Sequence, residues 1–195
     1  MDAASRFGPA YYSRYYGNPR TAVTSRREMG RRGDFIASFA NYLDLPVRSI
    51  LDAGCGVGWL RIPLRRRFPR ARYVGLEVSP YLCKRFGWVR GSLASFRPRA
   101  PFDLVICYDV LQYLDDRDAE RAMTNLGRLT RRVLYFSALT QEDWDQHCDK
   151  SCTDGDVRLR PAAWYRERLE SRFIALGGGL QLRRGVVTQL WELER

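Results

Sequence analysis

The stretch Ile50-Leu51-Asp52-Ala53-Gly54-Cys55-Gly56-Val57-Gly58 decides how this chain folds. Apolar residues run into alternating glycines, the pattern of a buried strand that turns sharply into a helix. Glycine lets the backbone bend there and lets a ligand come close where a Cβ would clash. Ligands of doubly wound sheets bind outside the carboxyl ends of the strands, so Asp52 is expected to place a carboxylate at that edge. The spacing narrows the choice of ligand. A dinucleotide fingerprint asks for glycine or alanine where Trp59 stands, with a pyrophosphate over the helix start. An acid just before the glycines suits a cation better than a phosphate, and a Gly-x-x-x-x-Gly-Lys loop is absent.

Working outward, strands and helices alternate. Upstream, Phe35, Ile36, Phe39, Ala40 and Leu43 recur at helical spacing until Pro46. Before them lies an aromatic stretch, Tyr11, Tyr12, Tyr15 and Tyr16, ended by Gly17-Asn18-Pro19. Downstream, a helix is expected from about Gly58 through Leu64, with Pro63 tolerated in its first turn. Strands are expected at Tyr73–Glu77, Trp88–Val89, Phe102–Tyr108 and Val133–Ser137. Phe102–Tyr108 is a near-continuous apolar run, the mark of a strand buried on both faces. Helices are expected at Pro80–Phe86, Ala119–Leu129 and from Pro161 to about Phe173. Thr140–Arg160 reads as a polar loop. Gly177-Gly178-Gly179 breaks the chain, and Leu180–Arg183 with Val186–Glu194 is expected to close it as a hairpin around Gly185. The sum is α/β: a doubly wound, mostly parallel sheet with a C-terminal antiparallel hairpin.

In this frame the glycine stretch resembles motif I of the class I S-adenosylmethionine-dependent methyltransferases, whose fold is a seven-stranded Rossmann-like sheet. Further features match in order. Glu77 ends the second expected strand, 21 residues after Gly56, where the family keeps an acid for the ribose hydroxyls. Gly91-Ser92-Leu93 lies where the family contacts adenine, with Ser92 in place of the frequent aspartate. The run Phe102–Leu114 resembles the fourth-strand motif and the turn beside the methyl group. The resemblance covers Arg48 to Ser137 well and the rest more loosely. It implies S-adenosylmethionine as cofactor, held by Asp52, Gly54, Cys55, Gly56, Gly58, Glu77, Val78, Ser92, Leu93 and Asp109. It also implies one domain over 1–195, with 1–46 as a helical or lid segment and 47–195 as the core. The four early tyrosines either cover the cofactor or pack on the core. A non-catalytic member of the fold is the remaining alternative.

Composition bounds the rest. The chain has 195 residues, 45% of them hydrophobic, and a formal charge of +11. Lys84 and Lys150 are the only lysines among 33 basic residues, so the other 31 are arginines. This balance fits nucleic acid, an anionic small substrate, or an arginine-rich solvated surface. The densest run, Arg65-Arg66-Arg67, falls on an expected outer helix face. The Asn/Asp-Pro-Pro-aromatic motif common in amino-methylating nucleic-acid enzymes is missing after Asp109, and no Pro-Cys pair occurs. The acceptor is therefore expected to be a small molecule, through oxygen or nitrogen, with an RNA substrate as the alternative. Cys55, Cys83, Cys107, Cys148 and Cys152 are an odd set in apolar, glycine or polar contexts, as in reducing compartments. With no signal-like core in Met1–Pro9 and no run of about 20 apolar residues, a cytoplasmic protein without a membrane partner is expected. The candidate catalytic groups are Tyr108, Asp109, Tyr113 and His147, the only histidine. His147 with Cys148 and Cys152 lacks a second ligand pair, so no metal is assigned.

Overall fold

Seven strands in a computed structural model, which describes residues 6–194, form one sheet in the order β3-β2-β1-β4-β5-β7-β6. Strands β1 (Ser49–Ala53), β2 (Arg72–Glu77), β3 (Val89–Arg90), β4 (Phe102–Tyr108) and β5 (Thr130–Ser137) run parallel. Strand β7 (Leu180–Arg183) lies antiparallel between β5 and β6 (Phe173–Gly177). The expected mostly parallel sheet with one reversed strand is present.

Both faces of the sheet are covered because β4 and its neighbours alternate. Val105 and Cys107 join one apolar cluster with Leu51, Ala53, Leu134 and Phe136, capped by α5 (Asp116–Leu129) and α7 (Ala162–Glu170). Leu104 and Ile106 join the opposite cluster with Ile50 and Val133, capped by α2 (Arg26–Tyr42) and α3 (Arg61–Arg67). In α5, Ala119, Ala122, Met123 and Leu126 recur at three and four residues and are all buried. Asp115 caps that helix by accepting from Asp118 N at 2.8 Å. The one acid inside β4, Asp103, is 2% exposed but accepts from Arg48 N, Ser49 and Arg131. Burial pushes its carboxyl up, but those bonds and the Arg131 charge outweigh that and hold it below the usual range.

The closing hairpin sits one strand earlier than the sequence reading placed it. Helix α7 ends at Glu170, and Phe173–Gly177 pairs with Leu180–Arg183. Gly177, Gly178 and Gly179 all have positive φ (82°, 57° and 86°) and form the turn itself. A Cβ on Gly178 would sit 2.8 Å from Phe35, and one on Gly179 would sit 2.9 Å from the Phe136 carbonyl, so both approaches need glycine. Val186–Glu194 is not a strand. Val187 and Leu193 are fully exposed there, and the segment is tied back to α2's end by Thr188 Oγ donating to the Leu43 carbonyl at 2.8 Å.

One further segment differs from expectation, and the tyrosine stretch takes the helical form expected of 1–46. The loop from Thr140 to Arg160 begins with a short helix, α6 (Gln141–Gln146), capped by Thr140. The tyrosine stretch is helical, as α1 (Pro9–Tyr12) continuing into a π-helical turn over Ser13–Gly17. Helix α4 (Pro80–Phe86) lies where expected and is capped by Ser79. The first five residues of the Met1–Pro9 stretch and of the 1–46 segment, and the last residue of the 47–195 core, lie outside the described residues. Among the described residues no helix is long and apolar enough to cross a membrane.

Candidate active site

The carboxyl ends of β1, β2 and β4 open into a cavity of about 300 Å³, at the lower end of the range for small-molecule sites. Its wall at β1 is the glycine turn. Gly54 and Cys55 N–H both donate to the Leu76 carbonyl, and Trp88 Nε1 donates to the Gly56 carbonyl at 3.0 Å. The three motif glycines do different jobs. A Cβ on Gly54 (φ 74°) would lie 2.3 Å from Val110, so this glycine admits the turn after β4. A Cβ on Gly58 (φ 75°) would lie 2.6 Å from the Trp88 ring. At Gly56 (φ 51°) a Cβ would meet no atom nearer than 4.0 Å. Gly56 lines the cavity, so its missing side chain leaves room for a ligand rather than for packing.

At the end of β2, Glu77 is 5% exposed and lines the same cavity. Its carboxylate accepts from Gly56 N at 2.9 Å, Val78 N at 2.9 Å and Ser79 N at 3.0 Å. The two oxygens together can take about four hydrogen bonds, so capacity for a ligand hydroxyl is left. Val78, Ser92, Leu93 and Asp109 complete the expected lining. Ser92 Oγ accepts from Ala94 N at 3.2 Å, which leaves its proton to donate. Asp118, on the first turn of α5, also lines the cavity. The sequence reading began that helix at Ala119 and gave Asp118 no role, since an acid at a helix start is ordinarily a dipole partner.

Three expected binding residues lie elsewhere. Gly58 faces the outer side of the turn, next to Trp59 and Phe86. Asp52 and Cys55 line a smaller space of about 60 Å³ with Tyr108, which adjoins the main cavity through Tyr16, Gly54, Gly56 and Asp109. Asp52 is 3% exposed and accepts from the Tyr73 hydroxyl. Burial drives its carboxyl up to about 7; the Tyr73 bond pulls down and the Glu77 charge adds to the rise. Tyr108 lies under the Arg32 guanidinium at 4.1 Å. Burial raises its phenol well above the ordinary value.

A second cavity of about 360 Å³ adjoins the first. Tyr11, Tyr16, Asp109 and Tyr113 line both. Most of the rest of its wall comes from the 140–160 segment, with Asp143, His147, Cys148, Asp149, Thr153 and Asp154, and Val23, Gln112 and Leu139 complete it. Buried Arg160 fixes that segment by donating to the Leu111 and Leu114 carbonyls and to Asp116. Arg158 N donates to the Gln112 carbonyl at 2.7 Å. The structure thus brings Asp109, Tyr113 and His147 to one cavity; Tyr108 does not line it but bonds Asp109 from the smaller space. His147 is exposed, at the end of α6. Among the described residues no group of three or more His, Cys, Asp or Glu is placed to hold a metal ion.

Asp109 holds the junction of the two cavities with φ 54°, one of two non-glycine residues with positive φ among those described. Its N–H donates to the Ser137 carbonyl at 3.0 Å. Burial raises its carboxyl above the usual range, against hydrogen bonds from Tyr108 and Gln112 and the Arg32 charge. The roof over both cavities is the N-terminal segment, pinned at three points. The Phe7 carbonyl accepts from Ser79 at 2.5 Å, the Tyr11 and Tyr113 hydroxyls pair at 3.0 Å, and Arg6 binds Asp154 at 2.5 Å. Burial and the hydrogen-bonded pairing push Tyr11's phenol far up, and burial pushes Tyr113's up to about 12. Both stay neutral as wall groups. The aromatic spacing signalled this roof, but no sequence signal gave its pins on residues more than 70 positions away.

Comparison with known proteins agrees with this geometry. Residues 50–132 match the methyltransferase-domain family. Trans-aconitate 2-methyltransferase of Azoarcus sp. (strain BH72) is 32% identical over 75 residues, covering 35% of this chain and 30% of that protein. Malonyl-[acyl-carrier protein] O-methyltransferase of Hahella chejuensis (strain KCTC 2396) is 30% identical over 115 residues, covering 51% of this chain and 41% of that protein. The matches thus span less than half the length of either relative. Among solved structures, magnesium protoporphyrin IX methyltransferase from Synechocystis PCC 6803 with S-adenosylhomocysteine superposes with a TM-score of 0.65 at 19% identity. It covers 92% of this chain and 97% of that one. The chain has the seven-stranded α/β fold of the S-adenosylmethionine-dependent methyltransferases.

Proposed function

We propose that this chain, built around a methyltransferase-domain core, transfers a methyl group from S-adenosylmethionine to a nucleophilic oxygen or nitrogen of a small molecule. One observation carries the reading. A cavity bounded by the Gly54–Gly56 turn and Glu77 opens, at Asp109, into a second cavity walled by polar side chains. Two adjoining spaces at the carboxyl ends of parallel strands are what a donor and an acceptor need.

The donor cavity fits the cofactor. Gly56 leaves a cradle that a Cβ would fill. Glu77 offers a buried carboxylate for ribose hydroxyls, Ser92 a hydroxyl and Leu93 an apolar surface for adenine. Asp109, Glu77 and Asp118 give the cavity a negative wall without a described Lys or Arg, which suits a sulfonium and opposes a pyrophosphate. When bound, S-adenosylmethionine supplies a methyl group activated by a positively charged sulfur. The chain's own work is to orient both partners, exclude water with the Phe7–Tyr16 roof, and hold the acceptor in register. In this reading 1–46 is the covering segment and 47–195 the core of one domain. Asp52 and Cys55 act from the smaller adjoining space, and Asp109, Tyr113 and His147 are the groups nearest the acceptor.

Calorimetry tests the cofactor. S-adenosylhomocysteine should bind and NAD should not bind comparably, and Gly56→Leu should abolish binding in a folded protein. Equal binding of both ligands to the wild type would sink the assignment.

The RNA alternative rests on a specific feature. Arg26, Arg27, Arg31 and Arg66 gather around one cleft between α2 and α3. A nucleic-acid grip there would lose affinity with salt at a slope near 0.9 per neutralised phosphate. Weak tRNA binding at physiological salt and no label in total RNA are the expected results.

A further inference from the structure

The wall of the acceptor cavity carries one sign of charge. Asp109, Asp143, Asp149 and Asp154 line it, and among the described residues no arginine or lysine does. The chain as a whole has a formal charge of +11 and 31 arginines, so an arginine-free, four-aspartate cavity is not a sample of the surface. Asp154 is compensated through Arg6 at 2.5 Å, and Asp109 lies in the field of the Arg32 charge. The Arg6 guanidinium, also 2.8 Å from Asp156, does not itself line the cavity. Asp143 and Asp149 bond only neutral partners, Thr140 at 2.7 Å and Ser151 at 2.6 Å.

A second observation is independent of these charges. Gln112 lines the same cavity, is 3% exposed, and its Oε1 is buried without a hydrogen-bond partner. A buried acceptor left unpaired is destabilising, and a ligand N–H or O–H that reached it would relieve that cost. The cavity therefore offers negative charge beside a buried, unpaired acceptor.

We propose, on the basis of the methyltransferase reading, that the acceptor is a hydrophilic amine bound as its ammonium ion, and that nitrogen is the atom methylated. An anionic acceptor would place its charge among four carboxylates. The donor's own positive charge does not account for them, because Asp143, Asp149 and Asp154 line only the acceptor cavity and Asp109 alone is shared. The ammonium nitrogen must first lose one proton, and Asp109 at the junction is the carboxylate placed to take it. The nitrogen lone pair then forms the new N–C bond as the C–S bond breaks and its electron pair leaves with sulfur.

The test uses the full chain saturated with S-adenosylhomocysteine and three matched probes of a size suited to a 360 Å³ space: glucosamine, glucose and glucuronate. Titration calorimetry should show glucosamine binding at least about tenfold more tightly than glucose, and glucuronate not binding. Asp143→Asn combined with Asp149→Asn should remove most of the glucosamine preference. S-adenosylhomocysteine affinity, read on the same sample, reports that the variant is folded. Glucose or glucuronate binding as tightly as glucosamine overturns the proposal, as does saturation with S-adenosylhomocysteine and no glucosamine binding. Failure to bind S-adenosylhomocysteine instead overturns the methyltransferase reading itself.

Discussion

The two cavities are neighbours built by different means. The donor cavity is made of strand ends and the turns between them. Its walls are backbone, glycines and buried side chains whose positions follow from the sheet register, with Ala53 beside Leu76 and Cys107. The acceptor cavity is made of side chains on a segment with one short helix, roofed by an aromatic strap. The first is part of the core, so damage there strikes fold and ligand together. The second is attached to the core by Arg160, Arg158 and the N-terminal pins, so damage there should strike the ligand alone.

The largest expected effect lies at Gly54. Gly54→Val puts a branched side chain at positive φ and into Val110, 2.3 Å from the Cβ position. Loss of S-adenosylhomocysteine binding and a clear fall in Tm should come together. A variant with wild-type Tm and no binding would break the idea that fold and ligand share this wall.

Next is Glu77→Ala. It removes a carboxylate that serves three backbone donors and, in the proposed role, the ribose. Cofactor affinity should fall about tenfold to a hundredfold and stability by about 1–3 kcal/mol. An unchanged dissociation constant in a folded variant would reduce Glu77 to a structural tie.

Asp52 sharpens the comparison through pH. Burial pushes its carboxyl up to about 7 in the folded chain, against an ordinary value near 4. The folded state therefore holds the proton more tightly, and this group's contribution to stability declines as pH rises from about 4 to about 7, then levels. The slope approaches about 1.4 kcal/mol per pH unit inside that window. The Tm of Asp52→Asn relative to wild type should climb across the window and flatten above it. A flat difference from pH 5 to 8 would show that Asp52 is ionised throughout.

The smallest effect is expected at His147. It is exposed and on the attached segment, so His147→Ala should leave Tm and S-adenosylhomocysteine affinity unchanged and lower turnover less than about tenfold. A loss of several hundredfold, with the acid limb of the pH–rate profile gone, would make it the base.

The same contrast explains what the sequence could reveal. Parallel strands buried on both faces write themselves as apolar runs, and β1, β2, β4 and β5 were legible from Ser49–Ala53, Tyr73–Glu77, Phe102–Tyr108 and Val133–Ser137. The glycine turn and Glu77 were legible because positive φ and a strand-end acid leave fixed spacings. The final hairpin was misplaced because Phe173-Ile174-Ala175-Leu176 serves a strand or a helix end equally well on pattern. Its turn glycines looked like a mere interruption. Asp118 at the donor cavity and Gln112 at the acceptor cavity were invisible, since ordinary helix and turn positions became lining residues only through packing. The four aspartates of the acceptor wall come from positions 109, 143, 149 and 154, and nothing local marks them as a group.

Asp109 joins these regions at a backbone angle that ordinary side chains avoid. Left-handed backbone costs a non-glycine residue roughly 1–2 kcal/mol, less for aspartate, and glycine would relieve it. The gain would be offset by the extra freedom glycine has in the unfolded chain, about 0.4–1 kcal/mol. On backbone terms alone Asp109→Gly is therefore close to neutral, while it deletes the one carboxylate that both cavities share and the acceptor for Tyr108 and Gln112. A redesign guided by backbone strain alone would accept that exchange and lose the shared carboxylate without warning.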